Sequence, residues 1–139
     1  MIKVAIISAL CFSYMGYAAT NLQPQDDPLK ASIKRGEEVY KEFCITCHMS
    51  NGKGIEGAFP PLDSADFLLK NREASIRAVK FGLSGELTVN GKEYNNTMTN
   101  LGLYDEEVAD VMNYVLNSWS NKSKKMVTEE EVKNIKKAE

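Results

Sequence analysis

Two cysteines and a histidine stand close together in this chain of 139 residues, in the run Cys44-Ile45-Thr46-Cys47-His48. His48 is the only histidine in the sequence, and it directly follows the second cysteine. Such a C-x-x-C-H run is typical of c-type haem attachment, since two thiols at this spacing can add across the two vinyl groups of one porphyrin. The histidine then projects under the iron as its proximal ligand. The run predicts one covalently bound haem c, attached through Cys44 and Cys47 with His48 on the iron.

Two other interpretations of the cysteine pair fit the sequence less well. A thioredoxin-like redox pair follows a strand and begins a helix, whereas the spacing of residues 32–44 predicts a helix that ends at this pair. A closed zinc site needs four ligands. After loss of the N-terminal segment described next, Cys44, Cys47 and His48 would supply only three. Haem attachment therefore remains the interpretation that accounts for the whole motif.

The N-terminal segment has the features of an export signal. Lys3 is followed by an almost entirely apolar run of 14 residues, 4–17, and small residues follow at Ala18 and Ala19. This run is shorter than the about 20 residues that span a bilayer. We predict that residues 1–19 form a signal peptide, cut after Ala18 or Ala19, which would make the protein periplasmic and leave no stable membrane span. An uncleaved membrane anchor is the alternative.

The rest of the chain divides into a leader, one domain and a tail. Residues 20–30 are polar and contain two prolines, which predicts a flexible leader. Residues 31–121 contain the motif and the clearest hydrophobic periodicity, and we predict that they form a single domain. Residues 122–139 are a charged tail, in which Thr128 and Glu131 could form a capping box for a last solvated helix. A frayed tail is the alternative.

Hydrophobic spacing predicts three helices, over residues 32–44, 71–81 and 104–119. Ser32 and Asp105 are the expected N-caps of the first and the last. The apolar stripe of the last helix is expected to comprise Val108, Val111, Met112, Val115, Leu116 and Trp119. Most of the predicted core therefore lies on the apolar faces of the first and the last of these helices.

The connections between the helices carry turn signals. Residues 49–66 are rich in Gly, Pro and Asn and predict a long loop that wraps a ligand. Asn90-Gly91 lies between two short extended runs in residues 86–94 and is a strong hairpin signal. The overall composition is that of a globular protein, and a formal net charge of −2 gives no sign of nucleic-acid binding.

A methionine is the expected second axial ligand, because no other histidine is present. Met49 is adjacent to His48 and cannot reach the other face of the ring. Met112 falls in the apolar stripe of the last helix, where core packing is its expected role, and Met126 is in the tail. Met98 lies in a polar loop between the hairpin and the last helix. We therefore predict that Met98 binds the iron opposite the histidine.

With these features the sequence resembles class I cytochrome c over roughly residues 31–121. Members of this family pack a glycine and an aromatic residue of the first helix against the last helix, and Gly36 and Tyr40 match that pair. Val111 and Tyr114 are the matching residues of the last helix. The resemblance implies an all-α cytochrome c fold, with crossing N- and C-terminal helices, a short middle helix, a small β-hairpin and the haem in the core.

The resemblance implies further features of the site. The family places a proline about twelve residues after the haem histidine, and its carbonyl accepts the ring N–H; Pro60 has that spacing from His48. Relatives usually have proline after the axial methionine, whereas here Thr99 follows Met98. The expected apolar walls of the haem crevice are Phe59, Leu62, Phe67, Leu68, Ile76 and Val79.

The predicted function is single-electron transfer in a periplasmic respiratory chain, not enzymatic catalysis. The C-terminal half is similar to small cytochrome domains that accompany periplasmic dehydrogenases, copper nitrite reductases and terminal oxidases. Redox proteins would dock transiently at the haem edge near the cysteines. Two alternatives stay open: a haem c subunit permanently docked on a dehydrogenase, nitrite reductase or oxidase, and a haem enzyme with an open distal site.

Overall fold

Six helices and one two-stranded hairpin make up the regular structure of residues 27–137, the part of the chain that the computed structural model describes. In chain order these elements are α1 (Pro28–Phe43), α2 (Ile45–His48), α3 (Asp66–Lys70), α4 (Arg72–Phe81), β1 (Leu87–Val89), β2 (Lys92–Tyr94), α5 (Asp105–Val115) and α6 (Glu129–Asn134). The prediction of an all-α fold with one small hairpin is confirmed. The predicted signal peptide, residues 1–19, and residues 20–26 of the predicted leader lie outside the described range. Between residues 27 and 137, no helix has the length and apolar character needed to cross a membrane.

Helix α1 begins earlier than its hydrophobic spacing predicts. The Asp27 carboxylate accepts a hydrogen bond from the Leu29 N–H at 3.0 Å, and Pro28 occupies the first turn. An aspartate cap followed by proline is a strong helix start, because the proline lacks an N–H that would go unbonded there. The prediction of Ser32 as the N-cap is therefore wrong, and residues 28–30 of the predicted leader are helical.

Helices α1 and α5 pack against each other most closely at Gly36. A Cβ atom built on Gly36 would lie 1.9 Å from the Asp110 carbonyl oxygen, so the two backbones can meet only where α1 has no side chain. One turn further on, the Tyr40 and Tyr114 rings pack with their centroids 5.2 Å apart. An aromatic pair of this kind contributes about 0.5–1.5 kcal/mol beyond the area it buries.

A buried polar network reinforces the contact between α1 and α5. Ser32 is fully buried and donates to the Asp110 carboxylate at 2.6 Å. Arg35 donates to both oxygens of the same carboxylate, at 2.6 and 2.7 Å. Because Asp110 is itself buried, it needs these donors to offset its loss of hydration. Ser32 therefore has a tertiary role that explains its place inside the helix.

Helix α5 also has bounds that differ from those predicted. It begins at Asp105, and the Glu107 carboxylate accepts from the N–H of the capping residue Tyr104 at 2.8 Å. The expected cap, Asp105, is instead the first helical residue. The helix ends at Val115, and Trp119 has left it with a φ of +55°. The predicted apolar stripe is buried as far as Leu116, and Trp119 is only partly buried.

The hairpin forms at the Asn-Gly turn, as predicted. Leu87 pairs with Tyr94 and Val89 with Lys92, and both turn residues have positive φ, as a tight two-residue turn requires. Asn90 also exchanges two hydrogen bonds with Asp66, at 2.7 and 2.9 Å. These bonds attach the hairpin to α3, a helix that the spacing of the sequence did not predict.

Helix α6 and the residue before its cap are docked on the rest of the fold. Thr128 caps α6 by accepting from the Glu131 N–H at 3.1 Å. Val127 and Val132 are fully buried, so the prediction of a solvated last helix is wrong. The Glu131 carboxylate pairs with Arg72 at 2.6 and 2.7 Å. Only the threonine half of the expected capping box therefore forms, because the glutamate is bound to α4.

Candidate functional site

The C-x-x-C-H run forms a single helical turn directly after α1. Cys44 is the C-cap of α1, and its carbonyl oxygen accepts from the N–H of Cys47 at 3.2 Å and of His48 at 3.0 Å. The two cysteines are not joined to each other in a disulfide. Burial raises the pKa of the Cys44 thiol to about 11. At neutral pH this thiol is therefore uncharged. Because neither sulfur is in a disulfide, both cysteines remain available for covalent chemistry.

The imidazole of His48 is held by one hydrogen bond. Its Nδ1 lies 2.9 Å from the Pro60 carbonyl oxygen. A carbonyl can only accept, so Nδ1 carries the proton and Nε2 keeps a free lone pair for a metal ion. Burial lowers the pKa of His48, although the bond to Pro60 opposes that shift. The ring is therefore neutral at physiological pH, which is the form that binds iron.

The loop between α2 and α3 positions Pro60 beside this imidazole. The Gly54 N–H donates to the His48 carbonyl at 3.1 Å, and the Leu62 N–H donates to the Gly52 carbonyl at 2.7 Å. Trp119 covers the same loop, since its ring would contact a Cβ atom at Gly52 at 2.6 Å. The Trp119 indole N–H also donates to the Ser50 carbonyl at 3.0 Å, so this residue supports the loop that holds the histidine.

Two apolar cavities adjoin His48. The residues that line both are Cys44, His48, Pro60, Leu83, Leu87 and Met98. The first cavity extends among α3, α4 and α5, and the second is bordered by Phe43, Cys47 and the segment 94–101. The haem motif and the methionine loop therefore face shared space.

Most of the expected apolar walls line these cavities. Leu62, Phe67, Leu68 and Val79 line the first, and Phe59 lines the second. Ile76 was expected there, but it lines neither cavity and is completely buried in the core. Helical spacing shows that a residue is buried, but it does not show which of two buried environments the residue enters.

Several wall residues were missed at the level of sequence. They come from the segment around the hairpin and from α5: Leu83, Leu87, Val89, Val111, Met112 and Val115. For Val111, Met112 and Val115 the apolar stripe of α5 is the available signal, but a stripe alone indicates only core packing. The same stripe both packs on neighbouring helices and forms a wall of the first cavity.

Met98 is the methionine that lines both cavities with His48. Its backbone forms an isolated antiparallel bridge with Leu83, through two hydrogen bonds of 2.8 Å. Met112 lines only the first cavity and is almost completely buried. Met49 and Met126 line neither. Of the four methionines outside the N-terminal segment, Met98 is thus the one that lines both cavities together with His48.

The residues present suit an iron porphyrin. The site offers two thiols, one neutral imidazole and one thioether around apolar space, which is the donor set of a c-type haem with nitrogen and sulfur axial ligands. Ser75 lines the first cavity, and its buried hydroxyl has no hydrogen-bond partner, so a polar substituent of a bound cofactor could use it. Across the part of the chain the structure describes, no three His, Cys, Asp or Glu side chains converge as ligands for a bare metal ion.

Comparisons with known proteins find one matching family model and several similar sequences. The family model described as Cytochrome c matches residues 33–119. Cytochrome c-552 from Thermus thermophilus is 40% identical over 110 residues, which cover 73% of this chain and 83% of that protein.

Two longer proteins are also similar. The cytochrome c subunit of a quinone alcohol dehydrogenase from Gluconobacter oxydans is 28% identical over 108 residues, covering 73% of this chain and 22% of the subunit. The gluconate 2-dehydrogenase cytochrome c subunit from Pantoea cypripedii is 29% identical over 136 residues, covering 88% of this chain and 30% of the subunit.

Proposed function

Since the chain belongs to the cytochrome c family and carries covalently bound haem c, we propose that it is a single-electron carrier with His48 and Met98 as the axial ligands of the iron. Cys44 and Cys47 would form the two thioether bonds to the porphyrin. The observation that supports this assignment most directly is that both proposed axial ligands line the same two apolar cavities. No bond-making chemistry on a substrate is part of the proposal.

When bound, the haem supplies an iron that gains one electron from a donor protein and loses it to an acceptor. The residues of the chain set the conditions for that exchange. Pro60 holds the His48 ring in the tautomer that presents Nε2 to the metal. Leu68 and Val79 help to exclude water from the first cavity. A thioether from Met98 favours the ferrous state relative to a second nitrogen ligand.

Donor and acceptor proteins would dock where the second cavity reaches the surface. Phe43 lines that cavity and is 38% exposed, beside the second cysteine of the motif. Transient redox complexes use small interfaces. We propose brief contacts of this kind, and a periplasmic location in view of the apolar, signal-like N-terminal segment.

A permanently docked haem subunit is the second candidate. Two of the similar proteins are named as cytochrome c subunits of dehydrogenases, and that role would use the same haem site. Purification of the protein from its native host at low ionic strength separates the two. A free carrier elutes alone at the size of one chain, whereas a subunit elutes with a dehydrogenase, nitrite reductase or oxidase.

The proposed ligation is tested by replacing methionine sulfur at two positions. Met98→Leu should abolish the weak far-red band of the oxidised protein, which reports sulfur on the iron, and should let the reduced protein bind carbon monoxide. Met112→Leu is the matched control, because Met112 also lines the first cavity but not the second. It should leave both properties unchanged. A Met98→Leu protein with an unaltered band would refute the assignment, and carbon monoxide binding by the unmodified protein would favour a haem enzyme with an open distal site.

A further inference from the structure

Gly82, the C-cap of α4, lies directly against the segment around Met98. Its N–H donates to the Ala78 carbonyl at 2.9 Å, and its φ of +82° is in the left-handed region that favours glycine. A Cβ atom at Gly82 would lie 2.6 Å from the Met98 carbonyl oxygen and 2.9 Å from the Asn100 amide nitrogen. The segment can therefore approach the end of α4 only because Gly82 has no side chain.

The next residue, Leu83, fixes the backbone of Met98 from the same side. The Leu83 N–H donates to the Met98 carbonyl, and the Met98 N–H donates to the Leu83 carbonyl, each at 2.8 Å. Both polar groups of the Met98 backbone are thus engaged by one residue. A displacement of this bridge would move the methionine relative to the cavities that it lines.

Both sides of this contact are anchored elsewhere in the fold. On the α4 side, Lys80 forms an ion pair with Asp105 at 2.9 Å. On the methionine side, Asn96 donates to the Ala58 carbonyl at 2.8 Å, which ties the segment to the loop that carries the proline beside the haem histidine. The segment around Met98 is therefore held between α4 and the loop that carries Pro60.

We propose that Gly82 and Leu83 are positioning residues that hold the Met98 sulfur at the haem iron. They would supply the restraint that a proline after the methionine would otherwise provide, since Thr99 occupies that position here. This inference rests on the proposed function, because the position of Met98 matters for ligation only if its sulfur binds the iron.

The test compares two glycine variants of the haem-loaded protein. Gly82→Ala adds a methyl group that must push the Met98 segment away, because its neighbours are backbone atoms that cannot rotate aside. Gly85→Ala is the matched control: Gly85 also has positive φ, +96°, but a Cβ atom there would meet nothing within 4 Å. Alanine at either position is strained in the backbone, whereas only Gly82→Ala affects Met98.

We expect Gly82→Ala to lose most of the far-red band. Its reduced form should bind carbon monoxide at least about tenfold more tightly than the reduced unmodified protein does, equivalent to about 1.4 kcal/mol. Gly85→Ala should keep the band of the unmodified protein. Leu83→Pro gives a second test, because it removes the N–H that donates to Met98 without adding an atom at Gly82. Leu83 also lines both cavities, so Leu83→Ala, which keeps that N–H but shortens the side chain more than proline does, controls for the loss of side-chain volume.

The outcomes separate the inference from the proposed ligation. If the unmodified protein has no far-red band, the assignment of Met98 fails and the positioning role fails with it. If the band is present and persists at full strength in both Gly82→Ala and Leu83→Pro, the ligation stands and the positioning role is overturned. Loss of the band in either variant but not in its control supports the positioning role.

Discussion

Replacement of Val132 by alanine should destabilise the protein markedly, although this valine lies in the charged C-terminal segment. Its side chain is fully buried, and α6 packs against α4 and α5. The substitution removes two buried carbons, at about 0.8 kcal/mol each, and it leaves a small cavity that adds to the cost. We therefore expect a loss of about 2 kcal/mol in the free energy of unfolding.

The assay is denaturant unfolding of the oxidised holoprotein, followed by far-ultraviolet circular dichroism. Covalent attachment keeps the haem on the chain during unfolding, so loss of cofactor does not complicate the comparison. We expect the midpoint to fall with an unchanged slope, since the surface exposed on unfolding hardly changes. Lys133→Ala, at the exposed neighbouring position of the same helix, should remain within about 0.5 kcal/mol. Equal midpoints for the Val132 and Lys133 variants would refute the docked position of α6.

Two further substitutions test hydrogen bonds and charge. Tyr40→Phe removes the hydroxyl that donates to the Met49 carbonyl at 2.7 Å. It should lower the free energy of unfolding by about 1–3 kcal/mol in the same assay. Tyr104→Phe is the control, because that side chain is 79% exposed, and it should lower the free energy of unfolding by almost nothing. Glu131→Gln should lower stability by up to about 1 kcal/mol at neutral pH. Because Arg72 lowers the pKa of Glu131 in the folded state, this contribution is present above the unfolded pKa of about 4.3 and is lost as the pH falls through the lower folded value. The difference between Glu131→Gln and the unmodified protein should therefore disappear in strong acid, and a difference that persists there would contradict the ion pair.

Features set by neighbouring residues could be predicted from the sequence. The hairpin forms where Asn90-Gly91 indicates it, because an Asn-Gly pair by itself favours this turn conformation. Helix α4 lies within one residue of its predicted start and ends at its predicted end. The C-x-x-C-H run likewise lies at the end of α1, where hydrophobic spacing placed it.

Features set by partners distant in sequence could not be predicted. Ser32 resembles a helix cap, but its hydroxyl donates to Asp110, 78 positions away. The docking of α6 depends on Arg72, which reaches Glu131 across 59 positions. A single sequence contains no direct signal for such pairings, since they exist only after the helices have packed.

The candidate site shows the same contrast between features set by neighbouring residues and features set by distant ones. The motif around His48 is local, and the expected bond to Pro60 came from the resemblance and not from any pattern within this chain. Elimination among the methionines is what indicates Met98. The contacts of Gly82 and Leu83 with Met98 could not be anticipated, because they join two segments that are separated by the hairpin.

The most direct test of the account is the mass of the polypeptide under denaturing conditions, after expression with functional export and haem-ligation machinery. We predict a mass increased by one haem, resistant to acid extraction, with Cys44 and Cys47 both inaccessible to thiol alkylation. A colourless protein in which both cysteines can be alkylated would contradict covalent attachment of haem at Cys44 and Cys47.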